Sequence, residues 1–152
     1  MRIAPRYRYQ RQLREDERAL WRSFVTSHAR IIRTLEDELR TVHGLDLASF
    51  EVLYELVTAP DNQRRMAELA ERLVYTRSGV TRLVDRLARQ GYLERSGVEG
   101  DARGVCAILT KKGFAVFDDS AADHVDGVRR LFLDPVGDDA TTLARVLSRL
   151  TG

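Results

Sequence analysis

Between Leu13 and Val42 the apolar residues keep a helical step over about thirty positions. Leu13, Leu20, Trp21, Phe24, Val25, Ile31, Ile32, Leu35, Leu39 and Val42 recur at spacings of 3, 4 and 7. That pattern marks one amphipathic helix, and Gly44 supplies its stop. At its ordinary rise per residue such a helix is roughly 45 Å long. A compact domain of 152 residues has an expected radius of gyration near ~15 Å, hence a diameter under about 40 Å. The helix is therefore expected to run past the body of its own domain. Its apolar stripe then needs cover from elsewhere, most simply from a second copy of the chain.

Downstream, residues 48–57 read as a short helix with Phe50, Leu53, Leu56 and Val57 inward, ended by Pro60. Asp61-Asn62-Gln63 is turn chemistry, and residues 65–73 form another short helix with Met66, Leu69, Ala70 and Leu73 inward. After a tight break at Val74-Tyr75, the segment TRSGVTRLVDRLARQG (76–91) has Thr76 as its N-cap and Gly91 just past its end. Val80, Leu83, Val84 and Leu87 define its buried side. The segments 92–96 and 105–110 have strand character, and the Gly-rich connection 97–104 between them is too long for a two-residue turn. A second long helix starts at Thr110, carrying Phe114, Phe117, Ala121, Val125, Val128, Leu131 and Phe132, and Asp134-Pro135 is expected to stop it. The last helix covers 139–150, with Leu143, Val146, Leu147 and Leu150 on one side.

Composition narrows the class of protein. Cys106 is the only cysteine, so no disulfide can form within the chain, and it reads as structural because no partner or activating motif accompanies it. No run approaches the roughly 18 apolar residues of a membrane span. The basic N-terminus lacks the apolar segment of a signal peptide, so a cytoplasmic protein is the expectation. Net charge is only +2, but its distribution is uneven. Ten arginines stand against six acids over residues 1–43 and nine against six over 62–104, whereas 44–61 carries four acids and no base. His28, His43 and His124 are scattered, without carboxylates or cysteine at ligand spacing, so neither a metal nor a cofactor is expected. No nucleophile–base pair or carboxylate pair falls at an interpretable spacing, which argues against an enzyme.

The order helix, helix, tight turn, helix, hairpin within 48–110 is that of a winged helix-turn-helix. The predicted fold is thus mainly α with a small β-hairpin wing, flanked by N- and C-terminal dimerisation helices. With Val80, Leu83, Val84 and Leu87 anchored inward, the face carrying Arg77, Ser78, Thr81 and Arg82 is free to enter a major groove of double-stranded DNA. Arginine reaches guanine O6/N7 with two hydrogen bonds, and Ser and Thr bond phosphates or base edges. The Gly-rich loop puts Arg103 where one guanidinium can enter a minor groove. Arg64, Arg65 and Arg95 are either phosphate contacts or plain surface charge.

The stretch MAELAERLVYTRSGVTRLVDRLARQGYLER (66–95), followed by DARGVCAILTKKG (101–113), resembles the MarR family of bacterial transcriptional regulators. The acidic–any–Arg element of that family's wing appears as Asp101-Ala102-Arg103, and its exit from the wing as Leu109-Thr110-Lys111-Lys112-Gly113. The resemblance covers about residues 13–150. It implies one domain over 1–152: an arm at 1–12, dimerisation helices at 13–43 and 111–152, and a DNA-binding lobe at 48–110. It further implies a homodimer on a pseudo-palindromic operator, with Arg103 probing the minor groove and Asp101 bracing the wing through a nearby arginine. The family commonly comprises repressors released by small, often aromatic or phenolic, ligands held between lobe and dimerisation helices. Ala102 stands where many members carry a second arginine, which weakens wing–phosphate contact. An activator, a regulator without ligand input, and a winged-helix adaptor that never touches DNA are the competing readings. Trp21, Phe24 and His28 share one helix side and are read as core or dimer interface rather than as a ligand pocket.

Overall fold

The computed structural model describes residues 13–98 and 101–151, with side chains over 13–97 and 104–150. Its elements are α1 (Glu15–His43), α2 (Leu47–Val57), β1 (Gln63–Arg65), α3 (Met66–Arg72), α4 (Arg77–Arg89), β2 (Leu93–Val98), β3 (Asp101–Leu109), α5 (Lys111–Val128), α6 (Asp134–Val136) and α7 (Ala140–Thr151). The chain is mainly helical, with a three-stranded antiparallel sheet in the order β1-β3-β2. This is the winged helix-turn-helix with flanking helices expected from the sequence. No helix among the described residues is long and apolar enough to cross a membrane.

Two compact units divide the chain, Met1–Thr34 and Leu35–Gly152. In the first, the described residues are essentially the opening turns of α1. Glu15, Asp16 and Glu17 occupy the first turn, where negative charge complements the helix dipole. The rings of Trp21 and Phe24 lie 6.0 Å apart, and those of Phe24 and His28 6.3 Å apart. Leu20, Trp21, Phe24, Val25 and Ile32 are all exposed.

The second unit holds the core. Val52 and Leu56 of α2, Leu69 of α3, Val80, Leu83, Val84 and Leu87 of α4, Leu93 of β2 and Ala107 of β3 form one buried cluster. Leu39, Leu45, Leu47, Phe50 and Leu53 form a second, backed by Phe117 and Ala121 of α5. Each fully buried Leu or Val contributes about 1.5–3 kcal/mol relative to exposure. The four inward residues predicted for α4 are all buried, so the hydrophobic periodicity alone oriented this helix.

Asp46 caps α2 by accepting a hydrogen bond from the Ser49 amide at 2.7 Å. Thr76 does the same for α4 with the Gly79 amide at 3.1 Å. Thr110 caps α5 through the Gly113 amide at 3.0 Å, and its hydroxyl donates to the Gly91 carbonyl at 2.7 Å. Lys112 Nζ donates to the Gln90 carbonyl at 2.8 Å and lies 5.1 Å from the centre of the Tyr92 ring. The Leu-Thr-Lys-Lys-Gly exit from the wing is therefore a knot tying the start of α5 to the end of α4.

Three expectations are corrected. The hairpin strands run to Val98 and from Asp101, so the long Gly-rich connection predicted over 97–104 is largely strand. Glycine masks strand character in a sequence because it has no side chain to pack. The pairing absorbs it through an irregularity between Gly97 and Val98. A third strand, β1, pairs Arg65 with Cys106, and its three polar residues carry no strand signal of their own. Finally, Asp134-Pro135 does not stop the helix that begins at α5. Residues Arg129–Leu133 widen into a π-helical turn, with the Asp134 amide donating to the Arg129 carbonyl. The wider turn makes room for the proline ring. The helical path ends instead at Gly137, whose φ of 52° with ψ of −127° is a combination strained for any residue with a Cβ.

His124 of α5 lies against Phe50, ring centres 4.3 Å apart, and its Nδ1 is buried without a hydrogen-bond partner. Burial lowers its pKa below the usual 6.5, because the charged form loses water. The unfolded chain therefore takes up this proton more readily than the folded one. The contribution of His124 to stability is fully present above about pH 6.5 and is lost as pH falls toward the folded-state value. Denaturant unfolding at pH 8 and at pH 5.5 should show a smaller loss in His124→Leu than in wild type. An equal loss in both would show that His124 does not take up the proton.

Candidate nucleic-acid interface

The geometry of α4 decides what faces outward. With Val80, Leu83, Val84 and Leu87 buried, the opposite side of a 3.6-residue helix carries Ser78, Arg82, Asp85 and Arg89 at i, i+4, i+7 and i+11. Arg77, Ser78, Thr81, Arg82 and Arg89 are exposed. The Thr81 hydroxyl donates to the Arg77 carbonyl at 3.1 Å, which leaves its lone pairs outward. Ser78 Oγ lies 3.3 Å from the capping hydroxyl of Thr76. No carboxylate partners Arg77, Arg82 or Arg89 among the described residues.

The other arginines of this region behave differently. Arg95 on β2 pairs with Asp85 of α4, so the wing's first strand is fastened to the outward helix. Arg86 holds Asp46 at 2.6 Å and donates to Ser49 Oγ at 2.9 Å, clamping α4 to the first turn of α2. Arg64 turns inward: its Nε donates to the Glu55 carbonyl at 2.9 Å and lies 3.1 Å from Glu55 Oε2, with the side chain only 10% exposed. Arg64 is thereby a structural cation, unavailable to a phosphate. Arg65 is exposed at the end of β1. With Thr81, Arg95 and Val105 it lines a cleft of about 270 Å³ between α4 and the wing. Of the predicted site residues, the cleft brings Thr81 of α4, Arg65 of β1 and Arg95 of β2 together, whereas Arg77, Ser78 and Arg82 do not line it. Arg103 and Asp101 lie on β3, and their side chains fall outside the described residues.

Sequence reasoning missed three residues. Arg89 was legible, since it continues the Ser78–Arg82–Asp85 stripe by one turn. The Arg86 clamp was not, because its partners lie about forty positions away and no local pattern links them. Tyr75 was passed over as part of a break. Its hydroxyl donates to Glu51 Oε2 at 2.9 Å, joining the turn before α4 to α2. Burial, the hydrogen bond to Glu51 and the negative charges of Glu51, Glu36 and Asp46 push its pKa up to about 12. The phenol stays a neutral donor at any physiological pH.

The MarR family profile matches residues 43–104, the stretch from the end of α1 into β3. YkoM of Bacillus subtilis (strain 168), an uncharacterized HTH-type transcriptional regulator, is 30% identical over 107 residues, 70% of this chain and 68% of YkoM. The chain belongs to the MarR family. It is a transcriptional regulator of winged helix-turn-helix type and stands with DNA-binding proteins rather than with enzymes. AbsC of Streptomyces coelicolor, a MarR family regulator, superposes on this MarR-family chain with a TM-score of 0.88 and 28% identity, over 91% of this chain and 94% of AbsC. Sco3205 from the same organism, a MarR family regulator solved in complex with DNA, gives 0.86 and 29%, over 91% and 87% of the two chains. PecS of Dickeya dadantii (strain 3937) is 33% identical over 81 residues, so the match spans about half the length of that relative (48%) and 53% of this chain.

Proposed function

We propose that this MarR-family protein binds a pseudo-palindromic DNA operator as a homodimer and represses transcription until a small ligand releases it. The observation that carries the reading is the sorting of charges on the lobe. Arg64, Arg86 and Arg95 are each held by a carboxylate, whereas Arg77, exposed at the first position of α4, and Arg82, on its outward side, have none among the described residues. Unpartnered guanidinium groups on a rigid helix are poised for phosphates and guanine edges at little entropic cost. In this reading Arg77, Ser78, Thr81 and Arg82 enter the major groove. Arg65 and the wing residue Arg103 flank it, Arg95 stays at its edge while fastened to Asp85, and Asp101 braces the wing. That Sco3205, a neighbour of the same fold, was solved in complex with DNA supports the DNA-binding reading as a whole.

Exposed apolar side chains favour a dimer. In the first unit they are Leu20, Trp21, Phe24 and Val25; in the second, Phe114, Val125, Val146 and Leu150, the last 71% exposed. Leu20, Trp21, Phe24 and Val25 share one side of a helix, and a continuous apolar stripe of that kind marks an association surface. The domain plan follows, with residues 13–43 and 111–152 for dimerisation and 48–110 for DNA. A half-open cavity of about 220 Å³ between α2 and α5, walled by Phe50, Glu51, Tyr54, Phe117, Ala121, His124 and Val125, is the seat for that ligand in this reading. Its largely aromatic lining suits a small aromatic molecule such as a phenol.

Fluorescence anisotropy on the DNA upstream of the protein's own gene tests the proposal, against a scrambled duplex and across a salt series. Tight binding that prefers the upstream duplex, with two chains per site, is the expected result. Equal and purely salt-driven binding to both duplexes would point to an architectural role, and absence of binding at low salt would sink the DNA reading. Added phenols should then lower the anisotropy, and an inert response would remove the ligand.

A further inference from the structure

The outward stripe of α4 does not end at Asp85. Arg89 lies one turn further along it, exposed and without a partner among the described residues. Its natural partner within the helix is Asp85, four positions back. That carboxylate is instead taken by Arg95 of β2, so the wing removes the one anion that would neutralise Arg89.

Arg89 also borders a cleft of about 330 Å³ on the α2 side of α4, lined with Ala48, Tyr75, Gly79, Arg82 and Arg86. The charges there do not balance. Arg86 is satisfied by Asp46 and Ser49, and the Tyr75 hydroxyl is spent on Glu51. Arg82 and Arg89 remain as two cations facing open solvent. Seven residues separate them, roughly 10.5 Å along a helix. The N-terminal residues of a recognition helix are the ones that contact base edges. A helix that sets Arg82 over base edges therefore carries Arg89, two turns further on, away from them and toward the phosphates.

We propose that Arg89 binds a backbone phosphate of the DNA, with the cleft beside Arg82 as its seat, extending the interface past the residues that read bases. The proposal rests on the DNA-binding reading above. It makes Arg89 a source of affinity and of salt dependence, not of sequence preference, because phosphates carry no base identity.

The test compares wild type, Arg89→Ala, Arg89→Lys and Arg82→Ala on the upstream and scrambled duplexes over a salt series. Removing one phosphate-binding cation should flatten the slope of log affinity against log salt by about 0.9, or about 1.8 for a dimer. Arg89→Ala is expected to show that change with a severalfold, equal fall in affinity on both duplexes, and Arg89→Lys to keep the wild-type slope. The melting temperature of Arg89→Ala should stay near that of wild type, which separates a missing DNA cation from a damaged fold. A wild-type slope in Arg89→Ala, while Arg82→Ala loses operator preference, would overturn the phosphate seat and leave the DNA reading intact. Loss of operator preference in Arg89→Ala at unchanged slope would make it a base reader and overturn the proposal equally. If wild type binds neither duplex, both readings fall.

Discussion

Replacing Gly113 with alanine is expected to destabilise the protein by on the order of 3 kcal/mol or more. Gly113 lies in the first turn of α5, and a Cβ built there would sit 1.9 Å from the Tyr92 carbonyl oxygen, 2.8 Å from its carbon and 2.9 Å from Leu109 Cδ1. The first two are backbone atoms, so no side-chain rotation relieves the clash; the start of α5 must move away from residues 91–92. That movement would break the Thr110 hydrogen bond to Gly91 and the Lys112 hydrogen bond to Gln90. For a chain of this size each kcal/mol shifts the melting temperature by about 2–4 °C. Thermal unfolding should therefore drop by roughly 6–12 °C. Gly97→Ala is the control, since nothing lies within 4 Å of the added Cβ there. A Gly113→Ala melting temperature equal to that of Gly97→Ala would show that the close approach of α5 to Tyr92 is wrong.

Arg82→Ala is expected to leave stability nearly untouched and to cost operator binding about 1–3 kcal/mol, or roughly 5- to 150-fold. The side chain is exposed, makes no ion pair among the described residues, and stands at the centre of the face opposite Val80, Leu83, Val84 and Leu87. Surface changes of this kind move stability by about 0.5 kcal/mol at most. Affinity for the scrambled duplex should fall less than affinity for the operator, because the substitution removes a base-reading group as well as a charge. Arg82→Lys sharpens the reading: it keeps the charge but not the planar two-donor fork. It should retain most of the salt slope and still lose operator preference. Operator affinity unchanged in Arg82→Ala would remove this residue from the recognition face.

Where function depends on a single helix, the sequence was sufficient. Thr76 as N-cap and the inward set Val80, Leu83, Val84 and Leu87 oriented α4, because a cap is a local bond and a helical period is a property of adjacent turns. The resemblance of 66–95 and 101–113 pointed to the family, and the relatives agree. Local pattern also carries the signal for Arg89, which lies seven residues past Arg82 on the same side of the helix.

Tertiary structure decided the rest, and always through groups distant in sequence. Which arginines are free depends on where carboxylates arrive. Arg64 is taken by Glu55, Arg86 by Asp46, and Arg95 by Asp85, and none of these pairs is separable from surface charge by spacing. The strand β1 exists because β3 passes beside it, and Pro135 fails to stop its helix because a π turn relaxes the ladder ahead of it. Helix period and capping are short-range and survive in one dimension. Charge pairing, strand partnership and the close approach of Gly113 to Tyr92 exist only once the chain has folded back on itself.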